Sequence, residues 1–358
     1  MRRALSNPVV KMTLSLLIGI GLLFLISRFI DIHSTFLLLA HNLATPRGCA
    51  FALLSGIAFL LAFSIRGVRW KLFLNLVGDV SILMAVRLVL ISIFINFLLP
   101  VSSGELAKPI MLKRVSNIPI SRSLPTVAMD RALDLLPAIF IMVLVPLLGI
   151  QLDIKLWLAM GTVSALLVVL VIFIGLAAWK YSTAIALLCR ITGMLPGRFG
   201  NKVASLATNF VDALLVGASH PKIFIPALLL TGLAIIFDSL FAMFAFWTIG
   251  FPLSFGTALF GYTVYNIFYI FPKPPGQVGS NEAVGLLVFN GLLHLPASKV
   301  TAMFIFSHPW AALLMWATCM VCLKTLGLTI GGATQVQTEE SKEVISIEQE
   351  EIAAEIPT

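Results

Sequence analysis

The chain has 358 residues, of which 59% are hydrophobic and only 11% charged, with a mean hydropathy of +1.03. Soluble domains carry about 25% charged residues, so this composition excludes a soluble globular protein and marks an integral membrane protein. The net charge of +8 hides an asymmetry, because residues 335–358 hold seven of the sixteen acids and one lysine, which leaves 23 basic and nine acidic residues in the body.

Eight apolar stretches, at 12–27, 48–64, 83–99, 135–150, 156–178, 223–248, 254–272 and 301–323, approach the ~20 residues that cross a bilayer. The expected fold is all-α and polytopic, with six to eight membrane helices. The first stretch is read as a retained helix and not as a signal peptide, since no small-residue cleavage site follows it. Arg2, Arg3 and Lys11 precede it, which by the positive-inside rule puts the amino terminus in the cytoplasm. Segment 48–64 then returns, and Arg66, Arg69 and Lys71 are expected at its cytoplasmic exit. The next basic cluster, Lys108, Lys113, Arg114 and Arg122, stays on that side only if 83–114 re-enters, turning at Pro100 and Ser102-Ser103-Gly104. Segments 124–150 and 156–178 complete an N-terminal half over 1–178.

Residues 179–222 are basic, with Pro196-Gly197 between alternating apolar and polar stretches, and are expected to form a cytoplasmic linker of interfacial amphipathic helices. The C-terminal half, 223–328, repeats the earlier interruption at 254–294, where "FPKPPGQVGSNEA" (271–283) breaks an apolar helix. Residues 329–358 form an acidic tail, expected to be disordered in the cytoplasm and to offer a site for a protein partner. The expected location is the cell inner membrane. The scattered basic residues fit anionic headgroups or the cytoplasmic side and form no stripe for nucleic acid.

"NFLLPVSSGELAKP" (96–109) and "NIFYIFPKPPGQVGSNEA" (266–283) echo one another: each runs asparagine, apolar residues, proline, glycine and Ser-x-Glu. Broken segments at corresponding places in two halves suggest an inverted repeat and point to a transport site near the midplane. Five of the nine body acids, Glu105, Asp130, Asp134, Asp238 and Glu282, fall in or beside apolar segments. A charge at the centre of a membrane helix costs roughly 2.5–3.5 kcal/mol on insertion scales, so each asks for a partner or a task.

Ser103 and Ser280 are expected to be N-caps, with Glu105 and Glu282 in the first turns that follow. Two readings stand. The glutamates complement the positive helix ends, worth ~0.3–1 kcal/mol, or the two tips meet and present backbone N–H groups, with Gly276 and Gly279 in the second break, to a lipid headgroup. In "DRALD", Arg131 reaches Asp134 at i+3 and has Glu105 as another counter-ion. A structural pair and a phosphate site are both open to it. Asp238 is read as a helix–helix hydrogen bond or a proton-coupling group, and His308, beside Pro309 where a kink is expected, as a satisfied core histidine or a pH sensor. Tyr262, Tyr265 and Tyr269 share a helix face with Asn266 adjacent, either as interfacial anchors or as a polar lining. Lys108 and Lys273 flank the breaks and either attract a headgroup or snorkel.

Cys49, Cys189, Cys319 and Cys322 are read as packing residues, with no metal site. The sequence holds no nucleophile elbow or Walker-type glycine loop, so neither an enzyme nor a cofactor is expected.

The two break motifs together with "DRALD" resemble the flippase-like integral membrane family that includes the transmembrane part of bacterial lysylphosphatidylglycerol synthetases. By that resemblance, over about residues 12–328, Asn96, Pro100, Gly104 and Glu105 match a first motif, Arg131 and Asp134 a second, and Pro275, Gly276, Gly279 and Glu282 a third. Three departures imply a different headgroup preference: Val101 and Ser102 stand where a basic residue is frequent, Asp130 replaces a glutamate, and Gln277 replaces a glycine. About thirty residues follow the last helix, short of the ~100 of a typical soluble domain, so a stand-alone lipid translocator is expected. Its substrate would be an anionic phospholipid or lipid-linked glycan phosphate. The alternative is a membrane scaffold for a glycosyltransferase or lipid synthetase.

Overall fold

The computed structural model describes residues 32–99, 103–144, 221–268 and 274–329, with isolated positions 21, 24, 183, 186 and 190. Apart from those positions, the stretches 12–27 and 156–178 and the linker up to residue 220 lie outside the described residues, as do the tail beyond 329, the expected turn at Pro100 and Ser102, and Tyr269 and Lys273. Among the described residues the protein is all-helical, with α-helices α1 (Ile32–Leu43), α2 (Pro46–Leu74), α3 (Ile82–Leu98), α4 (Ser103–Ser116), α5 (Ile120–Leu144), α6 (Pro221–Thr248), α7 (Phe255–Ile267), α8 (Ser280–Gly285) and α9 (Ala297–Leu326). A 3-10 turn, Pro275–Gln277, precedes α8, and a π-helical run, Leu286–Leu292, continues it.

Among the described residues, three helices, Pro46–Leu74, Lys222–Thr248 and Ala297–Leu326, are long and apolar enough to cross a membrane, and Ile82–Leu98 is a shorter apolar helix. Helix α2 shows how one sequence serves lipid and protein at once. Leu53, Ile57 and Leu61, four residues apart, form an exposed stripe, whereas Ala58, Ala62, Arg69 and Phe73 are buried. Apolar side chains on an outer face are costly in water and at home in hydrocarbon.

Helices α2 and α6 run antiparallel, with Phe51 stacked on Phe244 (6.3 Å between centroids), Phe59 against Phe241 (5.4 Å) and Arg66 on Asp238. Helix α2 is longer than the apolar run 48–64 that announces it. Arg66 and Arg69, expected as exit charges, lie inside the helix because acids on α5 and α6 neutralise them there.

Both interrupted segments fold as helix–break–helix hairpins. Helix α4 lies back along α3, and the approach is so close that a Cβ on Gly104 would sit 2.1 Å from the carbonyl oxygen of Ser92. The Ser92 hydroxyl donates to the Gly104 carbonyl at 2.8 Å. In the second hairpin, α7 packs against the π-helical run, where a Cβ on Gly261 would meet Phe289. The expected serine caps are corrected. Ser103 is already the first residue of α4, and the N-cap of α8 is Gly279 (φ 75), while the Ser280 hydroxyl donates backward to the Gln277 carbonyl at 2.9 Å. Helix α9 runs through Pro309, and Cys319 and Cys322 are buried in the core shared with α3 and α4, as packing predicts.

Candidate functional site

The first break is organised by Asn96 at the end of α3. Its Oδ1 accepts the Gly104 backbone N–H at 2.7 Å, satisfying an orphan donor of the α4 first turn, and its Nδ2 donates to Glu105 Oε1 at 3.1 Å. One amide therefore fixes both the start of α4 and the orientation of its carboxylate. Glu105 Oε2 accepts from Lys108 Nζ at 2.8 Å, and Oε1 also accepts from Arg131 on α5.

Around this carboxylate the described residues build a charge network. Arg69 is 1% exposed, with Nε donating to Asp130 at 2.7 Å, Nη2 to Asp134 at 2.7 Å and Nη1 to the Thr231 hydroxyl at 3.0 Å. Lys108 reaches Asp130 at 3.6 Å and lies over the Trp70 ring at 5.7 Å. Arg131 Nη1 donates to Asp134 at 3.3 Å, the i+3 contact that the spacing predicts. Three cations thus face three carboxylates. Burying charges on this scale is tolerable only when every one is paired and hydrogen-bonded. Asp238, on α6, accepts both guanidinium nitrogens of Arg66, at 3.2 and 2.5 Å, which is the helix–helix contact expected of it.

Burial separates the members. Lys108 is 4% exposed and held between two acids, so it neither snorkels nor stands open to a headgroup. The Arg131 side chain, in contrast, is 48% exposed and Asp134 26%. Each acid that Arg131 touches has a second cation, since Glu105 keeps Lys108 and Asp134 keeps Arg69. Arg131 is the half-exposed guanidinium of this network, and it can turn to another anion while both of its carboxylates keep a cation.

The second break is built from backbone. Gly276 (φ 65), Gln277 (φ 54) and Gly279 (φ 75) all adopt left-handed conformations, which glycine takes freely and a side-chain-bearing residue does not. The Gln277 departure therefore puts a side chain on a position whose backbone suits the glycine of the resembled motif. His308 of α9 ties this turn down: Nε2 is 2.8 Å from the Gly276 carbonyl and Nδ1 2.5 Å from Glu282 Oε1. The two breaks are neighbours. Phe97, the residue after Asn96, meets the His308 ring edge-on at 5.8 Å, and its ring lies 3.9 Å from where a Gly276 Cβ would be.

The remaining candidates do not join this centre. Tyr265 is 2% exposed and packs on Tyr262 and Phe304 (5.3 and 5.5 Å), inside an aromatic core. Asn266 is half-buried in the last turn of α7. Of the two arginines expected at the helix exit, Arg69 joins the network and Arg66 holds Asp238. The signal that marks them is their place in an apolar frame, with Ala62, Trp70, Phe73 and Leu74 continuing the buried side of the helix.

A family model described as Lysylphosphatidylglycerol synthase TM region matches residues 12–321. The "UPF0104 membrane protein PH1989" of Pyrococcus horikoshii is 29% identical over 166 residues, 45% of this chain and 48% of that protein, so the chain spans about half the length of the curated relative it matches. No solved structure matches. With the family match extending over most of its length, the chain belongs to the lysylphosphatidylglycerol synthase TM region family and is a multi-pass membrane protein.

Proposed function

We propose that the protein moves an anionic phospholipid or a lipid-linked glycan phosphate between leaflets, and that Arg131 receives the phosphate. The observation that carries this reading is the redundancy around Arg131: it is the half-exposed cation of a charge-balanced network, and both of its carboxylates keep a buried cation when it leaves. A planar guanidinium recognises phosphate through paired hydrogen bonds that an ammonium cannot reproduce. Glu105 and Asp134 then act as placeholders that occupy Arg131 between turnovers, while Asn96, Lys108 and Arg69 hold those placeholders still. Exchange of one anion for another keeps the net charge of the site low in both states, which limits the desolvation cost of carrying a headgroup across the apolar layer.

The test is leaflet transfer of a fluorescent phosphatidylglycerol in vesicles reconstituted with the purified full chain. The wild type should equilibrate the probe between leaflets, and Arg131→Gln, with an unchanged circular-dichroism spectrum, should lose transfer to the level of protein-free vesicles. Transfer retained in Arg131→Gln would remove Arg131 from the site. A wild type no faster than empty vesicles would favour the scaffold alternative.

A further inference from the structure

The second break contains a feature that lipid binding does not use. A carbonyl oxygen only accepts, so the 2.8 Å contact from His308 Nε2 to the Gly276 carbonyl requires the ring proton on Nε2. That leaves Nδ1 with a lone pair in the neutral ring, facing Glu282 Oε1 at 2.5 Å. Two lone pairs at that separation repel, so a second proton must lie between them, on the ring as imidazolium against carboxylate, or on the carboxyl as a neutral acid against neutral imidazole. The pair carries no net charge in either form. Glu282 is 7% exposed, and its other oxygen, Oε2, has no hydrogen-bond partner among the described residues.

On the described elements packed around the pair, the other charged and titratable groups are few. Helix α8 contributes Glu282 alone, and α3 presents the apolar ring of Phe97, with Arg87 some three turns away along the helix. On α9 the other charges, Lys299 and Lys324, lie near its two ends, and α7 offers the phenols Tyr262 and Tyr265, the latter against Phe304. Glu105 and Lys108 at the neighbouring break are paired with each other. Helix α1, which also packs on α9, brings His41, in its last turn.

We propose that Glu282 and His308 form a proton-binding site whose shared proton fastens the second helix break to α9, so that its loss releases the break. The sequence leaves a proton-coupling role open to Asp238 and a pH-sensing role open to His308, but Asp238 is already held by two guanidinium nitrogens. Gly276, Gln277 and Gly279 hold left-handed φ values, so the segment that the proton restrains is also where the backbone is most unusual. The ligand is the hydrogen ion, and the inference stands on the second break alone, whatever Arg131 binds.

Hydrogen exchange of the peptide covering 274–285, corrected for the intrinsic pH dependence of amide exchange, tests this on the full chain in phosphatidylglycerol nanodiscs. As pH rises, wild-type protection should fall by about tenfold, the worth of one buried hydrogen bond. Glu282→Gln replaces the shared proton with an amide N–H that donates to Nδ1, and its protection should not change with pH. An equal fall in wild type and Glu282→Gln, or no fall in the wild type, would overturn the proposal. Should Glu282→Gln not fold, nitrogen-15 spectra of the wild-type histidines, with His308 assigned by its absence in His308→Gln, give a second reading. Nδ1 should pass from hydrogen-bonded to bare over the range in which protection is lost, and an Nδ1 signal constant throughout would contradict the site.

Discussion

The two helix breaks solve one problem, an interrupted helix inside an apolar protein, by different means. At the first, Asn96 caps α4 and Glu105 is held by three donors from three helices, so removal of any one leaves the others in place. At the second, a left-handed turn is tied to α9 through both ring nitrogens of His308. Redundant charge pairing makes a rigid frame on which one exposed arginine can move. A left-handed turn tied through an imidazole makes a joint. Because Phe97 touches both, the frame and the joint are in mechanical contact.

The contrast can be broken most severely at Arg69. Arg69→Met leaves Asp130 with Lys108 alone at 3.6 Å and sets three carboxylates against two cations, and stripping one partner from a buried pair costs about 3–5 kcal/mol. Unfolding titrations in mixed micelles should show that loss, and a loss under about 1 kcal/mol would mean that the frame is not held by charge. Next in size is Gly104→Ala, whose Cβ meets the Ser92 carbonyl and must push α4 off α3. Overpacking of this kind costs about 1–3 kcal/mol, and the same titration measures it. At the joint the sign reverses, since Gln277→Gly relieves a left-handed backbone and should raise stability by up to about 1 kcal/mol. A lowered midpoint would show that the glutamine side chain outweighs the strain. The smallest stability change belongs to Arg131→Gln. An exposed pair is worth about 0–1 kcal/mol, so this variant should unfold almost with the wild type, in contrast to Arg69→Met in the same network.

The sequence made the frame partly legible. The scarcity of acids in apolar segments picked out Glu105, Asp130, Asp134, Asp238 and Glu282, local spacing predicted Arg131 on Asp134, and Glu105 stood as its other candidate counter-ion. What it hid was the partner of the buried acids. Arg69 lies 61 and 65 positions from Asp130 and Asp134, and the positive-inside rule reads a basic cluster after an apolar run as the end of a helix. Here the helix continues, because tertiary pairing removes the penalty that the rule counts on. His308 shows the same limit, since its partners lie 26 and 32 positions upstream and no periodicity links a histidine on α9 to a glycine carbonyl. The serine caps failed for a local reason. Glycine at 279 makes the turn into α8 by left-handed backbone alone, and Asn96 reaches Gly104 from the preceding helix.

The account turns on Arg131 exchanging a carboxylate for a phosphate, and solid-state NMR can observe that exchange. With guanidinium-labelled protein in phosphatidylglycerol bilayers, a phosphorus–nitrogen dipolar contact should be present in the wild type and be lost in Arg131→Gln. A contact that survives in Arg131→Gln at full strength, or a wild type in which none is detected, would contradict it.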